Sequence, residues 1–185
     1  VRVYEGMMVR SVLNVRSAVL CLAMVLLVIS TFAGLPQLPS THLEGRIVGV
    51  TDGDKVTLLD IRHSQHKLRL AGIDAPEIRM PYGQRAKQHL ATLVFGRNVL
   101  AIITKQDRYG RAIATIRVNG ADVNLQMIEV GLAWHYSKYS TEQTCDMASQ
   151  YFRAEQVARA QAFGLWHDPN PIAPWDWRTN RMIVR

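Results

Sequence analysis

A chain of 185 residues with 48% hydrophobic content has room for one domain with its own core plus some extra sequence, and is too short for two ordinary domains. Its formal charge of +7 and isoelectric point near 9.8 predict attraction to polyanions such as nucleic acid or anionic lipid. With Cys21 and Cys145 as its only cysteines, a disulfide-stapled scaffold is excluded and stability has to come from an ordinary core.

Residues 1–33 read as a targeting segment. Arg10 and Arg16 precede the apolar run 18–33, and Thr31-Phe32-Ala33 offers small residues around a cleavage point, with Met7 or Met8 as the expected start of translation. The run is shorter than the roughly 20 residues of a comfortable spanning helix, which favours a cleaved signal peptide over an uncleaved anchor. The expected location is therefore periplasmic or secreted, the alternative being an inner-membrane anchor facing outward. Leu20 and Leu22 around Cys21 do not resemble a lipid-attachment site, and without residues 1–33 the formal charge falls only from +7 to +5. Residues 34–44 hold Pro36, Pro39, Ser40 and Thr41 without apolar period and read as an extended linker. The domain is expected over residues 45–178, with 179–185 as a C-terminal tail.

Within the domain, residues 46–50 and 55–61 are β-rich runs separated by Thr51-Asp52-Gly53-Asp54, a hairpin-turn signal, and residues 67–73 form a third strand of a meander. A helical pattern opening at Pro81-Tyr82 puts Ala86, Leu90, Leu93 and Val94 on one face and closes at Gly96. Two further strands, 99–104 and 112–118, are joined through Asp107-Arg108-Tyr109-Gly110-Arg111, and Asn119-Gly120 marks another tight turn. A second helix buries Val123, Met127, Ile128 and Val130. In a third, Ala148, Tyr151, Phe152 and Ala158 share a face, and Gly164 stops it. The tail carries Trp166, Trp175 and Trp177 among prolines and is expected to fold back as an aromatic clip rather than extend a helix. Five strands and about three helices fit an α+β, mostly β architecture: a five-stranded OB-type Greek-key barrel.

The chemistry-bearing residues gather in residues 50–77. Asp54, Asp74 and Glu77 are hard oxygen donors suited to Ca²⁺ or Mg²⁺, and the lack of clustered Cys and His argues against zinc. Arg69 and Arg111 supply the fixed positive charge that a phosphodiester needs as charge develops on it. Taken singly, each has an ordinary reading. Asp52 and Asp54 serve a hairpin turn, Asp74 starts a turn before Ala75-Pro76, Glu77 pairs with Arg79 or lies in solvent, and the two arginines are surface residues. His63 and His66 lack partners for a metal site and read as exposed polar residues.

The combination resembles the staphylococcal nuclease (thermonuclease) family. The matching pieces are Asp52-Gly53-Asp54, the run from Arg69-Leu70 through Gly72-Ile73-Asp74-Ala75-Pro76-Glu77, Tyr82-Gly83, Asp107-Arg108-Tyr109-Gly110-Arg111, Val123-Asn124 and Gly131-Leu132-Ala133. Gly164-Leu165-Trp166 and Pro174-Trp175-Asp176-Trp177-Arg178 are similar to the tails of bacterial members, so the likeness covers roughly residues 45–178. The resemblance implies one Ca²⁺ held by Asp54, Asp74 and the Ala75 backbone carbonyl, with Asp52 just behind. It implies Glu77 as general base, Arg69 and Arg111 as phosphate clamps, and Tyr109 and Tyr139 flanking a nucleotide. The implied activity is cleavage of DNA and RNA with little sequence preference, leaving 3′-phosphate ends, by a monomer. Two departures stand out. Lys55 follows Asp54 where the family carries a hydroxyl residue, which implies an added cation and weaker Ca²⁺ binding. The stretch between Glu77 and Tyr82 is shorter and less lysine-rich than in the secreted staphylococcal type. The competing expectation, a non-catalytic module binding nucleic acid or polyanion, is favoured by Lys55 and opposed by the complete set of Asp54, Asp74, Glu77, Arg69 and Arg111. A third, attachment to anionic membrane through an uncleaved N-terminal segment, rests on leader and charge alone.

Overall fold

The computed structural model describes residues 41–183, so the targeting segment and most of the expected linker lie outside the described residues. Strand alternation builds the barrel wall. In β2 (Lys55–Asp60) Val56 and Leu58 point inward, in β3 (Gln65–Leu70) Leu68 and Leu70 do, and in β6 (Ala112–Val118) Ala112, Ala114, Ile116 and Val118 do. The first strand, β1 (Thr41–Asp52), is antiparallel both to β2 and to β5 (Asn98–Gln106). It can serve both because its register slips between Ile47 and Gly49 and again between Val50 and Asp52, which bends it around the core. β5 pairs antiparallel with β6, and β6 runs parallel to β3 through Leu68–Ala112, Arg69–Ile113 and Leu70–Ala114. That last pairing closes a five-stranded OB-type barrel.

The strand β1 begins at Thr41, not at residue 46. Residues 41–44, expected as the end of the linker, pair with residues 100–103 of β5. Their polar composition hid this because a strand edge held by distant backbone partners needs no apolar period of its own.

Short pieces decorate the barrel: β4 (Ile73–Asp74), β7 (Ala121–Asp122) and β8 (Trp134–His135), with β4 and β8 forming a separate two-stranded ribbon. Helix α1 (Gly83–Val94) covers one end of the core with Ala86, Leu90 and Val94. Helix α2 (Val123–Glu129) is capped by Asp122, whose side chain accepts from the Leu125 N–H, and buries Val123, Asn124, Met127 and Ile128. Helix α3 (Cys145–Ala160) is capped by Thr144 and buries Tyr151, Glu155 and Ala158. Its inward face thus differs from the expected one, since Phe152 is 54% exposed while Glu155 is buried and accepts the His135 backbone N–H at 3.1 Å. Positions 151, 155 and 158 follow helical spacing, and apolar identity alone had drawn Phe152 into the stripe. The tail also departs from expectation: after a 3₁₀ turn at Gly164–His167 it forms a fourth helix, α4 (Pro174–Ile183). Proline suits the first helical turn, where its missing N–H costs nothing. The aromatic packing expected there is present, with Trp134 edge-on to Trp166 at 4.3 Å and to Trp175 at 5.5 Å between centroids.

One buried side chain ties these layers together. Asn124 is fully buried, accepts the Ile116 N–H at 3.1 Å, and donates to the Ala71 and Ala114 carbonyls at 3.0 and 3.1 Å. It joins α2, the end of β3 and the middle of β6. Asn124→Ala strands a backbone donor inside the core and is expected to cost about 2–4 kcal/mol, read as a lowered urea midpoint. An unchanged midpoint would show that the parallel β3–β6 closure holds without it.

Candidate active site

The site lies where β2, β3 and the loop after β4 meet. The two-residue turn Gly53-Asp54 closes the hairpin between Asp52 and Lys55, and Lys55 then sits directly across from Arg69 in the β2–β3 register. Cross-strand partners project to the same face, so an ammonium and a guanidinium stand side by side next to the turn. The Leu70 N–H donates to the Asp54 carbonyl at 2.9 Å and locks the turn to the end of β3. Gly53 has to be glycine because a Cβ there would stand 2.6 Å from the Ala86 Cβ and 2.7 Å from the Ala75 Cβ. The turn is thereby pressed onto α1 and onto the residue after Asp74.

Asp74 ends β4, paired with Trp134 of β8, and its carboxylate is fully buried. The chain then folds back on itself. The Met80 N–H donates to the Glu77 carbonyl at 2.7 Å, and a Cβ on Gly83 would lie 2.0 Å from that same oxygen. Close approach of the helix start therefore fixes where Glu77 leaves the loop.

Four carboxylates and three cations meet here. Lys55 Nζ lies 2.5 Å from Asp52 Oδ2, 3.1 Å from Asp54 Oδ1 and 3.8 Å from Glu77 Oε2. Arg69 bridges Asp54 Oδ2 at 2.9 Å and Asp74 Oδ1 at 2.8 Å. The third cation is Arg178 of α4, whose Nη2 is 2.5 Å from Asp74 Oδ2 and whose Nη1 donates to Glu77 Oε1 at 2.8 Å. The structure thus brings together Asp52, Asp54, Asp74, Ala75, Glu77 and Arg69 as the sequence predicts, and adds two groups that sequence reasoning did not place as site residues. Lys55 stood out only as a departure. Arg178 was legible only as a tail residue, three positions after Trp175 on a helix not foreseen; that spacing, once the helix is known, is the signal that puts both on one face.

The remaining predicted residues stand apart from the carboxylates. Arg111, just before β6, donates through Nε to Asp107 Oδ2 at 2.7 Å, and the other Asp107 oxygen accepts the Arg111 and Tyr109 backbone N–H groups. Because Arg69 pairs with Ile113 and side chains alternate along a strand, Arg111 projects from the same outer face as Arg69. Tyr109 is 67% exposed with Arg108 and Arg111 over its ring, and Tyr139 is exposed with Lys105 Nζ 4.9 Å from its centroid. Trp134 is packed away among Trp166 and Trp175. His66 pairs with Asp60 at 2.8 Å, and Cys145 is an exposed free thiol.

Burial and counter-charge compete in this cluster. Burial, with the adjacent Asp54 carboxylate, pushes Asp52 up to about 7 against the pull of Lys55. Burial works in the same direction on Asp54, but Arg69 and Lys55 outweigh it and hold that carboxyl below its ordinary value. For Asp74 burial wins over Arg178 and Arg69, and its value is raised. The carboxylates raise Lys55 and Arg178 despite desolvation, so both cations stay charged. Although Lys55 and Arg69 stand within ion-pair distance, neither Asp54 oxygen has an aligned hydrogen bond among the described residues. A buried carboxylate without directional donors suits a spherical cation, and the all-oxygen donor set of Asp54, Asp74 and a backbone carbonyl suits a hard one. The residues therefore fit a hard divalent ion, with Lys55 competing for the same oxygens. Among the described residues no three His, Cys, Asp or Glu side chains converge as ligands, so part of any coordination has to come from backbone or water.

Residues 67–168 match the family described as staphylococcal nuclease homologue. The chain is 38% identical to an uncharacterized endonuclease of Haemophilus influenzae over 75% of its own length and 74% of the relative's. It is 36% identical to an uncharacterized endonuclease of Escherichia coli O157:H7 over 74% and 85% of the two chains. It is also 38% identical to the staphylococcal-like nuclease CAN1 of Arabidopsis thaliana, spanning 66% of this chain but only 36% of the plant protein. A barrel with this carboxylate and arginine cluster, joined to these likenesses, defines a nuclease, an enzyme that hydrolyses phosphodiesters. The chain belongs to the staphylococcal nuclease family.

The raised value of Asp52 has a consequence for stability. A carboxyl whose value is higher in the fold than in the unfolded chain leaves stability intact below about pH 4 and costs it as the pH rises through about 7. In chelator, the urea midpoint of the wild type is expected to drop between about pH 5 and about pH 8 by more than that of Asp52→Asn. Parallel midpoints would mean that Lys55 keeps Asp52 charged throughout.

Proposed function

We propose that this protein is an exported, monomeric, Ca²⁺-dependent endonuclease that cuts DNA and RNA with little sequence preference and leaves 3′-phosphate ends. The observation that carries the reading is the buried Asp54 carboxylate, which lacks directional donors and is set beside Asp74, Glu77 and Arg69 at one rim of the barrel. Asp54, Asp74 and the Ala75 carbonyl would hold the ion, with Asp52 behind them. Bound there, Ca²⁺ supplies positive charge to a phosphate oxygen.

The chain's own residues do the rest. Arg69, already oriented by two carboxylates, presents a fixed guanidinium to a phosphate, and Arg111, oriented by Asp107, presents a second from the neighbouring strand. Glu77, partly exposed, takes a proton from the attacking water as the new P–O bond forms in line with the departing 5′-oxygen. The P–O5′ bond breaks, the departing 5′-oxygen lies toward Arg111 and takes up a proton from solvent, and the phosphate stays on the 3′ side. Tyr109 and Tyr139 are exposed rings flanked by cations, which supports stacking on bases as a sequence-tolerant contact. Export to the periplasm or medium rests on residues 1–33. Among the described residues no helix is long and apolar enough to cross a membrane.

Single-stranded DNA and RNA digested with Ca²⁺, with excess chelator and by Glu77→Gln test the reading. Cleavage by the wild type that the chelator abolishes and that Glu77→Gln lowers about a thousandfold or more is expected. Glu77 is a cleaner probe than Arg69, whose loss would leave the buried Asp54 and Asp74 short of counter-charge and weaken the fold as well. Binding without cleavage would favour the non-catalytic module, for which Lys55 among the carboxylates is the observation in support. Lys55→Thr removes the competing ammonium. It is expected to lower thermal stability in chelator and to bind Ca²⁺ more tightly by calorimetry. An unchanged affinity would show that Lys55 moves aside at no cost.

A further inference from the structure

We propose that Arg178 is a positioning residue of the nuclease site, clamping the Glu77 carboxylate beside Asp74, so that helix α4 is part of the catalytic unit. This rests on the nuclease reading given above. The placement follows from packing across the whole chain. β4 and β8 pair Asp74 with Trp134, and Trp175 of α4 sits edge-on to Trp134 and stacks on Tyr136 at 5.2 Å and 22°. The helix is therefore docked against the strand partner of Asp74 by its aromatic residues. Arg178 lies three positions further along and emerges over the carboxylates on the same face.

The contacts are those of a clamp. Nη1 donates to Glu77 Oε1 at 2.8 Å and reaches Asp74 Oδ1 at 3.3 Å, while Nη2 donates to Asp74 Oδ2 at 2.5 Å. No other side chain among the described residues donates a hydrogen bond to Glu77, since Lys55 stays at 3.8 Å. Glu77 belongs to a partly exposed loop, and a glutamate there has free torsions that scatter its carboxylate unless something holds it. A planar guanidinium bound to a fully buried partner, Asp74, gives a fixed reference from which to hold it. Asp74 is also bridged by Arg69 to Asp54, so the two arginines make one continuous chain from the turn at Gly53 to Glu77. The aromatic docking of α4 does not use Arg178, which separates its effect on Glu77 from a purely structural one.

The test uses the full chain with single-stranded DNA and Ca²⁺, comparing wild type, Glu77→Gln, Arg178→Met and Arg178→Lys. Arg178→Met keeps the aliphatic stem and Arg178→Lys keeps the charge. For Arg178→Met, kcat is expected to fall about ten- to a hundredfold with KM changed less than about twofold, as for a misplaced general base. Arg178→Lys should recover part of the loss, and guanidinium ion at low millimolar concentration should raise kcat of Arg178→Met but not that of Glu77→Gln. Wild-type kcat in Arg178→Met overturns the proposal. So does a loss that appears only in KM, or one that follows a lowered melting temperature and responds neither to lysine nor to guanidinium. A wild type that does not cleave at all overturns the nuclease reading and this proposal with it, whereas an active wild type beside an equally active Arg178→Met removes Arg178 alone.

Discussion

The rest of the site depends on holding Asp54 charged in a place where water does not reach it. An isolated carboxylate buried to that degree would take up a proton, and what prevents this is the pair of cations supplied by the next strand residue and its cross-strand partner. Lys55 and Arg69 can do so only because the hairpin register sets them opposite one another, and the register is in turn set by the two-residue turn that contains Asp54 itself. Turn geometry, strand pairing and site charge are thus one constraint. A slip of one residue would carry Arg69 to the barrel interior and leave Asp54 without its strongest counter-charge.

That constraint also explains which parts were legible in the sequence. The hairpin, the meander and the strand from 112 to 118 follow from local alternation and turn chemistry, and Asp52, Asp54 and Arg69 sit within them with Asp74 and Glu77 just after, so their convergence was readable. The parts proposed for Ala75, Glu77 and Arg111 rest on the family likeness alone. The first residues of β1 were not readable, because Thr41 to Glu44 owe their strand to partners in β5 and to no period of their own. Phe152 and Glu155 were exchanged because burial in α3 is decided by what faces the helix: the His135 N–H gives a buried glutamate a partner, while a phenylalanine three positions earlier faces solvent.

Arg178 belongs to the same class of misses for a sharper reason. It touches Asp74 from 104 positions away, through a helix that a proline-rich tail concealed. The signal in Pro174-Trp175-Asp176-Trp177-Arg178 is positional, proline at the helix start and tryptophan one turn before arginine, and it acquires meaning only when Trp134 is known to be the strand partner of Asp74. Long-range aromatic packing carried information that charge counting along the sequence could not.

The two arginines implied as phosphate clamps are also held differently. Arg69 is committed to two buried carboxylates inside the cluster, so its position is bound up with the fold. Arg111 is held by a single aspartate in its own turn, with Tyr109 beneath it and solvent beyond. The ion pair at Asp107 is part-buried, and Asp107 keeps its charge because the turn's own N–H groups and Arg111 together outweigh its desolvation. A guanidinium tethered this way can turn toward a phosphate at the expense of its part-buried pair with Asp107. Of the two proposed clamps, Arg69 is therefore preorganised by the buried cluster and Arg111 by the turn that carries it.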